Sequence, residues 1–280
     1  MASDSAGDAA APEGAWALIL GASTGSGAAI ARAVASDPGL NIFGFHRGHY
    51  PDDARALERD IVACGREIAL YDADAGLPDR LPACADLLEQ RLGRGRIALV
   101  VHAISGASLG HFLPTRGDAF QPRQFDKTFN YLAHSFAYWA RALHERELLA
   151  PGAQLLGLTN VLHDQILHNL GLVAAAKAAL ETYVRYLAVE LGPFGHRVNL
   201  LQYGTVITPA LRTVMGPQAL ARMEATHREM IPAGRMCTVE EVARFVSLLL
   251  RPDCGWFNGA TIDFTGGMTL RLFDIVMPPD

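Results

Sequence analysis

Short apolar runs alternate along this chain with longer stretches in which apolar residues return every three or four positions. Trp16 to Leu20, Leu40 to Phe45, Ile68 to Tyr71, Ile97 to Val101, Gln154 to Leu158, Arg197 to Leu201 and Ala260 to Phe264 read as strands. Helical periodicity covers Ala28 to Ala35, Asp52 to Cys64, Leu81 to Leu92, Phe125 to Leu149, Gly171 to Leu191 and Val239 to Leu250. Strands apolar throughout are buried on both faces, and separated by helices they build a parallel sheet covered on both sides. The expected fold is a single α/β domain with a doubly wound parallel sheet, which binds its ligand at the carboxyl ends of the strands. Residues 1–14 (MASDSAGDAAAPEG) fall outside the pattern and lack the basic start and apolar stretch of a secretory signal. They read as a disordered tail ahead of a domain over 15–280.

Half of the 280 residues are hydrophobic and 19% are charged, enough for one large core. The net charge of -5 is spread along the chain, which argues against a nucleic-acid surface. No uninterrupted apolar run reaches the length of about 18 residues that a membrane-spanning helix needs. Cys64, Cys84, Cys237 and Cys254 lie far apart without CxxC spacing, as expected for reduced, mostly buried thiols in a cytoplasmic protein. The ten histidines show no HExxH arrangement, so no metal site is expected.

The first strand runs into Gly21-Ala-Ser-Thr-Gly25-Ser-Gly27 and then into a helix. Glycines there let the backbone turn tightly and approach a pyrophosphate, while free N–H groups at the helix start hold the anion. A strand, a glycine turn and a helix at the head of a doubly wound sheet point to a Rossmann-type dinucleotide site, with Gly21, Ser23, Thr24, Gly25 and Gly27 around the phosphates.

The GxxxGxG spacing of these glycines resembles the short-chain dehydrogenase/reductase family more than the GxGxxG fingerprint. The resemblance implies a nicotinamide cofactor and places His46 and Arg47, after the second strand, at the adenosine ribose. An arginine there suits the 2′-phosphate of NADPH, where an NADH enzyme would usually offer a carboxylate; a solvated surface charge is the other reading of Arg47. Asp72-Ala73 looks like the adenine-contacting pair. Val101-His102-Ala103-Ile104 stands where the broad family carries Asn-Asn-Ala-Gly and is similar to the enoyl-acyl carrier protein reductase branch, so His102, Ala103 and Ile104 are expected beside the cofactor. Val206-Ile-Thr208-Pro209 resembles the segment that binds the carboxamide and pyrophosphate through the Val206 backbone and the Thr208 hydroxyl. The insertion over about 208–235, with Met215, Met223 and Met230, would cover the substrate or simply pack.

The segment around Lys177 lies on the enoyl reductase branch without a gap. There the resemblance places two tyrosines ten residues apart and the lysine seven after the second; these places hold Asn160, Leu170 and Lys177. The broad family's tyrosine, four residues before the lysine, is Val173 here, and its helix asparagine falls at Leu132. Lys177 would still bind the ribose hydroxyls next to the nicotinamide. Asn160, Tyr203 and His163 with Asp164 are candidate substitute donors; the alternatives are a turn asparagine, a lining tyrosine and a solvated loop histidine. The implied activity is NADPH-dependent reduction of an activated C=C bond, with an imine or carbonyl reductase, or a non-redox isomerase, cyclase or nucleotide-binding protein, as alternatives. By the same resemblance a homotetramer is expected, paired through long helices carrying Tyr138, Trp139, Tyr183 and Tyr186.

Overall fold

The computed structural model describes residues 14–114, 117, 119–161, 166, 168–268 and 270; apart from Gly14 the N-terminal tail, like residues 271–280, lies outside the described residues. Seven parallel strands form one sheet in the order β3-β2-β1-β4-β5-β6-β7. They are β1 (Trp16–Leu20), β2 (Asn41–His46), β3 (Ile68–Asp72), β4 (Ile97–His102), β5 (Leu149–Thr159), β6 (Arg197–Tyr203) and β7 (Thr261–Phe264). The helices are α1 (Gly25–Ser36), α2 (Pro51–Ala63), α3 (Leu81–Leu92), α4 (Pro122–Phe129), α5 (Ser135–Glu145), α6 (Gly171–Leu191), α7 (Pro209–Val214), α8 (Pro217–Met230) and α9 (Val239–Leu249). Among the described residues no helix is long and apolar enough to cross a membrane.

The pleat of β1 shows why its sequence is apolar throughout. Trp16, Leu18 and Leu20 point into a core shared with α3, α5 and α6, while Ala17 and Ile19 point into a second core under α1, α2 and α9. β1 pairs with β2 on one side and β4 on the other. The sheet order reverses there, so the β1–β4 junction is the switch point where a doubly wound sheet opens a crevice.

Three expectations are corrected. The helix read over Phe125 to Leu149 is α4, one π-helical turn over Asn130–His134, and α5, and Leu149 already belongs to β5. Apolar periodicity does not reveal an inserted π turn, because its extra residue shifts the face without changing the composition. Trp139 is not exposed for subunit contact: it is fully buried, and its indole N–H donates to the Ala75 carbonyl at 2.8 Å. Tyr138 and Tyr186 are exposed, and the Tyr183 hydroxyl meets His134 Nδ1 at 3.0 Å. The cysteines are free, as expected, but only Cys84 is buried; Cys64 is exposed at the end of α2.

Candidate active site

The carboxyl ends of β1, β4, β5 and β6 meet around the glycine turn. A side chain at Gly27 would overlap the Gly21 carbonyl, and one at Gly21 would stand 2.8 Å from the Ala103 carbonyl oxygen. Both positions therefore need glycine if α1 is to sit against β1 and β4. The Gly21 and Ala22 N–H groups donate to the Phe45 carbonyl at 3.0 Å. α1 then opens behind Thr24 with no side-chain cap and no acidic residue in its first turn, which leaves its positive end suited to an anion. Ser23 is buried beside it. The Thr208 methyl faces Gly25, and the Thr208 Oγ1 accepts the Leu211 N–H at 3.2 Å, capping α7 and keeping its own proton available for a phosphate oxygen. Val206 is buried under it. These residues fit the pyrophosphate of a dinucleotide.

Past the end of β3 lies a cleft of about 630 Å³ whose lining includes Arg47, Asp72, Ala73, Asp74, Arg80 and Cys84. Three of these six, Arg47, Asp72 and Ala73, are the residues that the sequence resemblance assigned to the ribose and adenine. Arg47 is held at its rim by a bond from Nη2 to the Ser105 carbonyl at 3.4 Å and by the ring of Tyr131, whose centroid lies 5.2 Å from the guanidinium carbon. His46 instead turns back on its own loop, its Nδ1 accepting the Gly48 N–H at 3.1 Å. Asp74, Arg80, Ser105 and Tyr131 were missed. Only the proximity of Asp74 to Asp72 and of Tyr131 to Leu132 could have pointed to two of them.

Lys177 is buried and donates to the Leu158 carbonyl at 2.7 Å. Loss of hydration brings its ammonium down to about 8. His102 lies below it on the same side of the sheet, with Nε2 2.7 Å from Ser135 Oγ and Nδ1 without a partner among the described groups. Burial, reinforced by the Lys177 charge, lowers its imidazole to about 3. His102 therefore works from inside the core, while Ala103, whose N–H donates to the Leu20 carbonyl at 2.8 Å, and Ile104 carry the strand end to the surface of the crevice. Leu132, Val173 and Ala176 form one apolar cluster with Ala107, Phe129 and Leu170 packed on it. All three positions read from sequence as apolar replacements thus stand together, Leu170 and Val173 at the start of the helix that carries Lys177 and Leu132 on the π turn that leads into Ser135.

The candidate donors separate in space. Asn160 is half-buried directly after β5, two residues beyond the carbonyl that holds Lys177. Tyr203 projects from the opposite face: the pleat of β6 sends it with Leu201 toward α1, where its hydroxyl lies 3.1 Å from Ser26 Oγ, and burial raises its phenol. A hydroxyl committed to Ser26 is not aimed at the Lys177 side. His163 and Asp164 lie outside the described residues. The segment expected to cover the substrate comprises α7 and α8, and α8 is fastened to the end of β6 by His227, whose Nε2 lies 2.9 Å from Thr205 Oγ1. Met230, the last residue of α8, and Met236 pack on Val161, Ile231 and Met268.

The burial of Lys177 has a measurable consequence. The folded chain releases this proton near pH 8 and the unfolded chain near 10.5, so between those values the unfolded state holds more protons and stability rises with pH. Lys177→Met should stabilise the nucleotide-free protein at pH 7 by up to about 3 kcal/mol, an advantage that fades as the pH approaches 10.5, while reducing the thermal shift produced by nucleotide. Urea unfolding at both pH values checks this; a variant less stable than wild type at pH 7 contradicts it.

A family model described as Enoyl-(Acyl carrier protein) reductase matches residues 21–269. The 1-cyclohexenylcarbonyl-CoA reductase of Streptomyces collinus is 26% identical over 262 residues, covering 94% of this chain and 88% of its own. The NADH enoyl-(acyl-carrier-protein) reductase of Bacillus cereus is 28% identical, covering 72% of this chain and 76% of its own. A short-chain dehydrogenase from Burkholderia cenocepacia, solved in complex with NADP, superposes with a TM-score of 0.78 at 25% identity, covering 91% of this chain and 98% of that one. With the parallel sheet, the glycine turn and Lys177 in place, the chain belongs to the enoyl-(acyl carrier protein) reductase family of short-chain dehydrogenases/reductases and is an oxidoreductase of that type using a pyridine nucleotide.

Proposed function

We propose that this protein reduces an activated carbon–carbon double bond, in an enoyl thioester or a similar enone, with NADPH. The observation that carries the reading is the apolar cluster of Leu132, Leu170 and Val173 next to Lys177. By resemblance these are the places of the family's asparagine and tyrosine, so we take the catalytic tyrosine to be replaced. Carbonyl reduction produces an alkoxide that must be protonated as it forms, and a positioned acid is worth about 10²- to 10⁴-fold there. Leucine and valine supply no proton. Addition of hydride to the β-carbon of an enoyl thioester instead puts charge on the thioester oxygen as an enolate, which hydrogen-bond donors and a nearby cation stabilise without prior proton transfer, and which then takes a proton from solvent at its α-carbon to give the saturated thioester.

The bound nucleotide supplies the hydride. Lys177 would release the Leu158 carbonyl in part to hold the ribose hydroxyls, with Ser23, Thr24, Gly25 and Thr208 around the pyrophosphate and Asp72 and Ala73 at the adenine. Asn160, half-buried directly after β5, is the residue we assign to the substrate oxygen. The apolar cluster excludes water and accepts a hydrophobic acyl group. The name of the Streptomyces relative, a reductase of a cyclic unsaturated CoA thioester, supports this substrate class.

NADPH is favoured by Arg47 and Arg80 at the adenosine cleft and by the NADP complex of the Burkholderia neighbour, against the NADH named for the Bacillus relative.

Two measurements test the reading. Following NADPH absorbance, kcat/KM for an enoyl thioester should exceed that for the matching β-ketoacyl thioester by at least about 100-fold, in line with the loss of an acid, and a cyclic imine should also fall below it; a faster ketoacyl or imine reaction, or no oxidation with any of them, rejects the proposal. Arg47→Asp should raise the preference for NADH over NADPH by about tenfold or more, as expected when a charge-assisted phosphate contact becomes a repulsion. An unchanged ratio removes Arg47 from the ribose site.

A further inference from the structure

Tyr131 occupies a slot that nothing in the proposed chemistry explains. It lies on the π-helical turn between α4 and α5 and is 5% exposed. Side chains at Gly76 and Gly106 would stand 2.6 Å and 3.1 Å from its ring, so the loops after β3 and β4 both close on it. Its hydroxyl donates to Asp74 Oδ2, and the Asp74 carboxylate also accepts the Gly76 N–H at 3.1 Å. On the ring side lies Arg47, its guanidinium carbon 5.2 Å from the centroid. One aromatic residue therefore touches two of the charged groups that line this cleft, Arg47 and Asp74.

From these contacts we infer that Tyr131 is a specificity-determining positioning residue, which sets the preference for the phosphorylated nucleotide by holding the Arg47 guanidinium at the cleft and tying back the Asp74 carboxylate. The inference rests on the NADPH reading. An exposed arginine on a long stem loses side-chain entropy when it captures a phosphate, and a ring that already carries the guanidinium reduces that loss. A carboxylate free in the same cleft would repel the phosphate; one that accepts a phenol O–H and a backbone N–H has its charge engaged. The phenol remains protonated because burial and the neighbouring Asp74 raise it. Tyr131 touches neither the expected ribose phosphate nor the reacting atoms, so its effect is transmitted through Arg47 and Asp74.

The test compares kcat/KM for NADPH and NADH in wild type, Arg47→Asp, Tyr131→Met and Tyr131→Phe with one enoyl thioester. Methionine fills the slot without a cation-binding face. Tyr131→Met should cut the NADPH-to-NADH ratio about 3- to 30-fold, the range that loss of a cation–π contact implies, through a higher KM for NADPH, with kcat at saturating NADPH and KM for NADH unchanged. Tyr131→Phe, which keeps the ring and loses the hydroxyl, should recover part of the ratio. Should the methionine variant fail to fold, Tyr131→Leu removes the ring in its place and should lower the ratio in the same way. A folded variant without the ring that keeps the wild-type ratio, or that weakens both nucleotides equally, overturns the inference. A wild type without NADPH preference, or an Arg47→Asp variant with an unchanged ratio, defeats the ribose-phosphate reading itself, whereas a preference lost in Arg47→Asp and kept in Tyr131→Met defeats only the role of Tyr131.

Discussion

The close approach of α1 to the switch point of the sheet governs the rest of the structure. At Gly27 the helix backbone lies so near the Gly21 carbonyl that no side chain fits between them, and Gly21 lies as near to Ala103 at the end of β4. This contact puts an uncapped helix start over the junction of β1 and β4. The pleat then assigns the remaining groups to sides. Odd positions at the end of β6 send Tyr203 toward α1 and Ser26, while His102 and Lys177 share the other side with Ser135 and α6. The glycine turn with Tyr203 and the side that carries Lys177 and His102 therefore lie on opposite faces of the same strand ends.

Lys177 is kept in this arrangement under electrostatic strain. Its buried ammonium, which donates to the Leu158 carbonyl, has lost most of its hydration, and His102 below it remains neutral. Stability is lowered where hydroxyl acceptors from a ligand would restore it, a common feature of functional sites. His102 adds an acid-side sensitivity. It is protonated below about pH 6.5 in the unfolded chain but only near pH 3 in the folded one, so stability falls as pH drops through that window.

What the sequence made legible follows from which interactions are local. The glycine turn, the strand ends at Asp72 and Ala103, and the helix carrying Lys177 each depend on residues within one supersecondary unit, and each is found where its pattern placed it. Trp139 was misread because a tryptophan on a helix otherwise rich in polar and aromatic residues looks exposed until the carbonyl of Ala75, far away in sequence, accepts its N–H. Tyr131 and Asp74 were invisible for the same reason: their pairing joins the end of β3 to the π turn. The apolar residues at 132, 170 and 173 could be read one by one, but only the fold shows that they form a single cluster at the start of the helix that carries the lysine.

That cluster is the reason to expect conjugate reduction, and the position to which hydride is delivered decides the matter. Reaction with NADPH carrying deuterium at the transferable position of C4, followed by mass spectrometry and NMR of the product, measures it directly. The predicted result is deuterium on the β-carbon of a saturated acyl thioester. Deuterium on the carbinol carbon of a hydroxyacyl thioester, or no transfer to any unsaturated thioester, would contradict it.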